Sequence, residues 1–166
     1  MLHALYAKER AKTGRHLSSG VGLLRHKGGL DVNDTIDRIQ ASWALAASDG
    51  ERASHLFYAN LFRLDPASKA LFAGDMKLQG RKLAQTLTFI VDHLDDPETL
   101  FPAAVDLAVR HVGYGVTAEQ YDMVGRALID SLRQILGTAF TPEDEAAWRD
   151  TYSLLADTMV DAAYPK

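Results

Sequence analysis

The 166-residue chain contains no cysteine. This absence excludes disulfide bonds, thiolate metal sites and iron–sulfur clusters, so any metal must be held by histidine or carboxylate side chains. It also fits a reducing compartment, and we expect a cytoplasmic protein. No apolar run approaches the roughly 20 residues that span a bilayer, and the N-terminus lacks the apolar core of a signal peptide. We therefore expect no membrane span.

Sustained alternation of apolar and polar residues, the pattern of a half-buried strand, is also missing. From residue 33 onward the apolar residues recur at helical spacing. Polar cap residues precede the helices, and Thr117 in Thr117-Ala-Glu-Gln is predicted to cap one of them. An all-α domain is therefore predicted. The apolar face of its last helix is predicted to consist of Trp148, Tyr152, Leu155, Met159 and Ala162.

The net charge of −4 is unevenly distributed. Residues 1–32 carry six Lys/Arg and two Asp/Glu, while the remainder carries twelve and twenty. We expect residues 1–32 to be a flexible basic extension of a single domain over residues 33–166. The positive charge of this segment would suit contact with nucleic acid, with an acidic lipid surface or with the protein's own acidic body, and charge alone does not choose among them. A start codon assigned too far upstream would produce the same pattern. Our prediction includes no nucleic-acid partner.

One histidine lies at the end of an apolar helical stretch. His111 follows Leu107 by four residues and is followed by Gly113. On a helix, the Leu107 carbonyl is a natural acceptor for one imidazole N–H, which leaves the other nitrogen for a metal. Taken alone, such a histidine is more often a satisfied core or surface residue. We interpret His55 and His93 in that way.

Upstream of His111, a phenol and an amide complete a candidate pocket. Tyr58 lies in a segment that ends in Phe72, and Gln79 and Leu83 share one helical face. A buried tyrosine is usually part of the core, and a helical glutamine is usually solvated. A phenol O–H and an amide N–H directed at one point, however, stabilise the negative charge on dioxygen bound to ferrous iron.

From about residue 33 to residue 163 the chain resembles a globin. It is most similar to bacterial single-domain haemoglobins and to the globin half of flavohaemoglobins. The resemblance covers about four-fifths of the chain. The motifs that carry it are Phe57-Tyr58 with Asn60-Leu61-Phe62, Pro66, Leu71-Phe72, Gln79 with Leu83, His111-Val-Gly-Tyr-Gly-Val, Tyr121, Val124-Gly125, Leu136-Gly137, and Ala147-Trp148 with Tyr152.

The resemblance implies a three-over-three helical sandwich around haem b, iron protoporphyrin IX. His111 corresponds to the proximal iron ligand, Tyr58 and Gln79 to distal donors, and Tyr121 to a proximal supporting residue. Lys82 or Arg81 is expected to meet a haem propionate. The side chains expected to line or bind the haem are Phe57, Phe72, Lys82, Leu83, Leu107 and Val112.

Two departures from the flavohaemoglobin pattern bear on chemistry. In those proteins a glutamate near the end of the last helix joins the proximal histidine and tyrosine, and Ala163 stands at its expected place. That change argues against strong oxygen activation. The sequence also ends at Lys166 with no reductase domain after the globin part, so we expect catalysis to need a separate electron donor.

Reversible binding of O2, and of NO or CO, is the predicted function, because it requires only what the chain contains. The distal pair Tyr58 and Gln79 would favour slow oxygen release. One alternative is an NO dioxygenase working with a separate reductase. Others are a haem-based gas or redox sensor that uses residues 1–32 to contact a partner, and a haemless interaction module. The oligomeric state is left open, with a homodimer among the candidates.

Overall fold

A computed structural model describes residues 31–72 and 74–164, and this part of the chain is helical, with no β-strand. The predicted all-α class is confirmed. Two short 3-10 helices, Pro66–Leu71 and Gly137–Ala139, connect longer elements. The α-helices are α1 (Val32–Ala47), α2 (Gly50–Leu64), α3 (Met76–Asp92), α4 (Pro97–Gly113), α5 (Gln120–Leu136) and α6 (Pro142–Ala163).

The predicted basic extension, residues 1–32, lies outside the described residues apart from its last two positions. Its flexibility and its use as a partner-binding segment therefore stay predictions. Residues 33–166 form one compact unit. Within the described ranges, no helix combines the length and the apolar character that crossing a membrane requires.

Side-chain caps determine where several helices begin. Asp49 accepts the Arg52 N–H at the start of α2, and Asp75 accepts two backbone N–H groups at the start of α3. At α6, Thr141 and Asp144 form a reciprocal capping box. Each such cap satisfies backbone donors that the first helical turn leaves without partners, and contributes about 1 kcal/mol to stability.

The predicted cap at Thr117 is wrong. Helix α5 begins at Gln120, and Glu119 stands at its N-cap without a side-chain hydrogen bond. The Gln120 side-chain oxygen instead accepts the Thr117 backbone N–H at 3.1 Å. Of the two hydrogen bonds of a capping box, only the one from the Thr117 backbone N–H to the Gln120 side chain is present. The reason is that residues 117–119 form a turn before the helix begins.

Two apolar clusters fill the domain, and each joins more than two helices. The larger one joins α1, α2, α5 and the start of α6, and includes Trp43 and Trp148 with ring centroids 6.2 Å apart. Trp148 also donates its indole N–H to Ser42 at 2.8 Å. The smaller cluster lies between α4 and α6. Its buried members are Ala104, Ala108, Tyr121 and Met159.

The apolar face of α6 differs from the prediction at its end. Ala162 is exposed, whereas Ala163 is half-buried and packs in the smaller cluster. The next inward-facing residue after Met159 therefore follows at a spacing of four residues, not the expected three. At 100° per residue both spacings keep roughly the same face, so the pattern alone does not choose between them.

Helices α2 and α3 approach closely at one glycine. An ideal Cβ on Gly80 would stand 2.9 Å from the Cβ of Ser54. The Ser54 hydroxyl donates to the carbonyl of Gly80 at 3.1 Å and to that of Gly50 at 2.8 Å. This contact fixes the height of α3 on α2, and therefore the placement of Gln79, the residue before Gly80.

We predict that Gly80→Ala destabilises the protein by about 1–3 kcal/mol, because the added methyl overlaps Ser54. Urea unfolding of the full chain measures the effect. Gly50→Ala is the matched control, since its Cβ would meet nothing within 4 Å. Adding Ser54→Gly to Gly80→Ala should recover stability beyond additivity, by at least about 0.5 kcal/mol. Equal unfolding midpoints for Gly80→Ala and Gly50→Ala would contradict the close contact.

Candidate functional site

His111 lies in the last turn of α4 with its ring held from one side. Its Nδ1 is 2.8 Å from the carbonyl oxygen of Leu107, one turn earlier, as the sequence predicts. A carbonyl only accepts, so Nδ1 carries the proton and Nε2 keeps its lone pair. Burial lowers the pKa of His111, and the positive charge of Arg110 lowers it further, whereas the hydrogen bond to Leu107 raises it by less. At neutral pH the imidazole is therefore neutral, the form that binds metals.

The ring of Tyr121 packs beside His111. Their centroids are 5.9 Å apart, with an angle of 36° between the planes. The Tyr121 hydroxyl is buried and has no hydrogen-bond partner among the described residues. Burial, and then the neighbouring phenol of Tyr164, raise the pKa of Tyr121. Ala163 lies in the same cluster and offers only a methyl group, so no carboxylate from that position reaches Tyr121.

Tyr58 lies in a group of phenylalanine rings at the end of α2. Its ring centroid is 5.2 Å from Phe57, 5.2 Å from Phe72 and 5.8 Å from Phe62. The residue is only 8% exposed. Among the described residues nothing forms a hydrogen bond with its hydroxyl, and burial raises the pKa of Tyr58 to about 12. The phenol therefore holds its proton at neutral pH.

Gln79 and Leu83 lie one turn apart near the start of α3, and both are half-buried. Lys82, between them, is exposed. The contact of Gly80 with Ser54 places this turn of α3 against α2, one turn before Tyr58. No hydrogen bond joins the side chains of Gln79 and Tyr58 in the described structure.

A small cavity of about 20 Å³ lies between α1, α2, α3 and α5. Phe57 and Leu83 line it, together with Leu87 and Leu128. Its volume is close to that of one water-sized probe, which is far too small for a macrocycle. The cavity therefore belongs to the core behind α3, and a large flat group would have to lie elsewhere.

Helices α3 and α4 carry the candidate site residues Gln79 and His111 but do not form a closely packed pair, and the space between them is called the crevice. In the described structure α3 packs on α2 and α4 packs on α6, but α3 and α4 do not pack extensively on each other. Apolar residues of the site lack full cover: Phe72, Leu83 and Leu107 are half-buried, and Val112 is 43% exposed. Buried apolar area is stabilising, so partly uncovered apolar walls in a crevice favour an apolar occupant.

The other described histidines of the domain form no second site. His55 is exposed on α2, and His93 ends α3 with its Nδ1 2.8 Å from the Phe89 carbonyl oxygen. Residues 31–72 and 74–164 contain no group of three or more His, Asp or Glu side chains arranged to hold a metal ion. A metal at His111 would therefore take its remaining ligands from a prosthetic group or from the solvent side.

A model of the globin family matches residues 55–159, which run from α2 into the last turns of α6. The chain belongs to the globin family. The predicted globin fold is thereby confirmed, and the crevice of this globin lies between the helices that carry Gln79 and His111. In the described structure α2 packs on both α3 and α5, α4 packs on α6, and α5 and α6 also pack on each other.

The globin is similar to curated flavohemoproteins. It is 33% identical over 125 residues to the flavohemoprotein of Bordetella parapertussis. It is 32% identical over 125 residues to that of Chromobacterium violaceum. Each match covers 74% of this chain and 31% of the relative. The chain therefore spans about a third of the length of the curated relatives it matches.

A solved structure supports the same fold. The globin superposes with a TM-score of 0.69 on an engineered carbene transferase from Rhodothermus marinus, a protein assigned as a nitric oxide dioxygenase. The two share 26% sequence identity, and the match covers 78% of this chain and 90% of the other.

Membership of the globin family implies a haem, and the residues of this chain fit one. The crevice offers apolar walls to a flat macrocycle, a neutral imidazole with a free Nε2, and a protonated phenol without a partner. Lys82 is exposed at the start of α3, where a carboxylate at the edge of the macrocycle would be in reach of solvent and of a cation.

Sequence reasoning missed Tyr164. Its hydroxyl donates to the carbonyl oxygen of Val116 at 2.6 Å, and its ring packs on Tyr121 with centroids 6.1 Å apart. The apolar spacing of α6 could have revealed this residue, because a step of four after Met159 brings Ala163, and with it the neighbouring Tyr164, to the smaller cluster. The Ser54–Gly80 contact left no such signal, since a glycine within a helix has several explanations.

Proposed function

We propose that this globin reversibly binds O2, and also NO and CO, as a haem protein of the oxygen-binding type. When bound, haem b supplies a ferrous iron that takes these diatomic gases. The chain's residues would then have three tasks: to hold the macrocycle, to supply an imidazole nitrogen to the iron, and to donate hydrogen bonds to a bound gas.

The protonated hydroxyl of Tyr58, which has no hydrogen-bond partner among the described residues although the residue is only 8% exposed, is the observation that carries the proposal. Its oxygen is not fully enclosed, so a group that enters from outside the ring cluster can reach the hydroxyl. With haem in place, a bound gas would offer an acceptor for the Tyr58 O–H. The ring contacts with Phe57, Phe62 and Phe72 hold the phenol in place, so little reorganisation accompanies the hydrogen bond.

Gln79 is proposed as the second distal donor. Two observations support this assignment: Gln79 is half-buried on α3, and the contact of Gly80 with Ser54 fixes this turn of the helix. An amide N–H adds a neutral hydrogen bond to that of the phenol. Together the two donors favour tight binding and slow release of O2.

His111 is proposed as the proximal iron ligand, through Nε2. Its lowered pKa keeps the imidazole neutral, and the Leu107 carbonyl fixes the tautomer that presents Nε2. Tyr121 supports the ring from the side. Lys82 is proposed to pair with a haem propionate. The side chains proposed to line the macrocycle are Phe57, Phe72, Leu83, Leu107 and Val112.

Tyr58→Phe is predicted to speed O2 release roughly ten- to a hundredfold, which corresponds to the loss of a hydrogen bond of about 1.5–3 kcal/mol to a charged acceptor. Stopped-flow displacement of O2 by CO measures the rate. The substitution keeps the ring and its aromatic contacts. Tyr114→Phe, at a residue 68% exposed, is the control and should leave the rate unchanged.

Gln79→Leu separates the two distal donors. If both residues donate, each single variant releases O2 faster and the double variant is faster than either. An unchanged rate in Tyr58→Phe, with a faster rate in Gln79→Leu, would assign the ligand contact to the amide alone. Unchanged rates in all three variants would contradict a polar distal site.

His111→Ala is predicted to lose haem during gel filtration, because the substitution removes the side chain proposed to bind the iron. His93→Ala is a matched control. Both histidines lie at the end of a helix with Nδ1 2.8 Å from the carbonyl four residues earlier, so both substitutions remove the same local bond. The absorbance ratio of the haem band to protein after filtration reports the outcome. Equal haem content in the two variants would rule out His111 as the ligand.

Dioxygenation of NO to nitrate with a separate reductase is the second candidate. The similarity to flavohemoproteins and to a protein assigned as a nitric oxide dioxygenase favours it. Against it, Ala163 supplies no carboxylate to the proximal side, where such a group would make the imidazole a stronger donor. Continuous NO consumption with a supplied reductase and NADH would support this candidate. One equivalent of NO consumed per haem, without further turnover, would leave reversible binding as the function.

A further inference from the structure

The lysines in the described part of the chain lie in one short stretch. They are Lys69, Lys77 and Lys82, and Arg81 precedes the last of them. All four side chains are exposed, and none pairs with an acidic side chain among the described residues. Between Lys69 and Lys82 the one acidic residue is Asp75. Four cations and one acid give this stretch a net charge of +3, whereas the whole chain carries −4.

Three exposed apolar side chains lie among these cations. Leu71, Met76 and Leu78 are 37%, 38% and 43% exposed. Leu71 also lies beside the loop that follows α4, since an ideal Cβ on Gly115 would stand 3.8 Å from its Cδ2. We call the exposed side chains of residues 69–82 the basic patch. The patch extends from this loop to the first turns of α3, and it therefore borders the crevice.

The cations at the start of α3 oppose the stability of the helix. A helix N-terminus carries partial positive charge, so acidic residues are favoured in the first turn. Each of the other five α-helices described here has at least one there. After its cap, Asp75, the first turn of α3 has none and contains Lys77, which also lies four residues from Arg81, a destabilising spacing for like charges. Folding does not account for these charges, whereas binding of an anionic partner does.

The size and charge of the basic patch fit a transient protein complex. Weak electron-transfer complexes bury little area, and complementary charges steer the two partners together. A partner of this kind would present acidic side chains to Lys69, Lys77 and Arg81, since Lys82 is assigned to a propionate. A haem protein that binds O2 needs such a partner, because iron that has become ferric must be reduced before it binds O2 again.

We propose that the basic patch is the docking surface for an acidic one-electron donor protein. One electron passes from the docked donor to ferric iron, so the donor is oxidised by one electron and the iron becomes ferrous. Because the patch borders the crevice, a docked donor lies close to a haem held there. The inference deepens the proposed function and rests on haem being bound in the crevice.

Flavodoxin, a small acidic flavoprotein, serves as the probe for binding. The full chain, loaded with haem and CO, is titrated with oxidised flavodoxin while amide NMR spectra are recorded, so that no electron is transferred. We expect shifts concentrated at residues 69–82 and a dissociation constant that rises steeply with salt. Lys77→Glu should weaken binding roughly 3- to 10-fold. It also places an acidic residue in the first turn of α3, so lost stability would not explain the weaker binding.

Arg126→Glu is the matched control, because it makes the same change in net charge. Arg126 is exposed on α5, which does not pack extensively on α3, and its guanidinium contacts the Met123 sulfur instead of an acidic side chain. The dissociation constant of this variant should stay within roughly 2-fold of that of the unmodified protein.

A stopped-flow measurement then follows the electron itself. Flavodoxin with its flavin as the anionic hydroquinone is mixed with the ferric protein under CO; the flavin gives up one electron, becomes the neutral semiquinone and transfers no proton. The second-order rate constant of reduction should fall in Lys77→Glu by a factor similar to that for binding. In Arg126→Glu it should be unchanged.

The outcomes separate this inference from the proposed function. Equal dissociation constants in Lys77→Glu and Arg126→Glu, or shifts outside the basic patch, would overturn the docking surface. Sedimentation with phosphatidylglycerol vesicles that depends on Lys77, without binding of flavodoxin, would also overturn it and assign the patch to a lipid surface. If the unmodified protein retains no haem, its absorption spectrum shows this before any donor is added, and the proposed function fails. Stable binding of haem and O2 without binding of flavodoxin would reject the docking surface alone.

Discussion

The hydrogen bond from His111 Nδ1 to the Leu107 carbonyl oxygen is the contact on which the site depends. It fixes the tautomer, directs Nε2 away from the helix backbone, and holds the ring in one plane. Because the bond lies in the last turn of α4, it is only as rigid as the end of that helix. The following loop contacts this end of α4 through the hydrogen bond from the Val116 N–H to the His111 carbonyl oxygen. The loop is in turn bonded to Tyr164, the residue after α6.

The two sides of the crevice are chemically different. The distal side combines aromatic packing with a phenol that keeps its proton and lacks a partner, so it can stabilise negative charge on a bound gas. The proximal side is apolar around a neutral imidazole, with a methyl group at Ala163 where the flavohaemoglobin pattern has a carboxylate. Under the proposed function, the lack of that carboxylate would make the imidazole a weaker electron donor to iron. The contrast favours holding O2 over activating it.

Local geometry explains what the sequence could predict. The partner of His111 lies four residues away on the same helix, and the stripe from Trp148 to Met159 follows one helical face, so both follow from spacing alone. Helix ends were less predictable, as Thr117 and Ala162 illustrate, because neighbouring structure decides where a helix begins or stops facing the core. The bond from Tyr164 to Val116 spans 48 residues, and its existence depends on how α4 and α6 pack.

Optical spectroscopy of the full chain supplied with haem tests the account most directly. The protein is reduced without oxygen, its absorption spectrum is recorded, and air is then admitted. The account predicts a five-coordinate ferrous spectrum that converts to a stable oxygenated one, because Tyr58 and Gln79 leave the distal position open and hold what enters. A six-coordinate low-spin spectrum before air is admitted would contradict it, since a side chain would already occupy the position assigned to the gas.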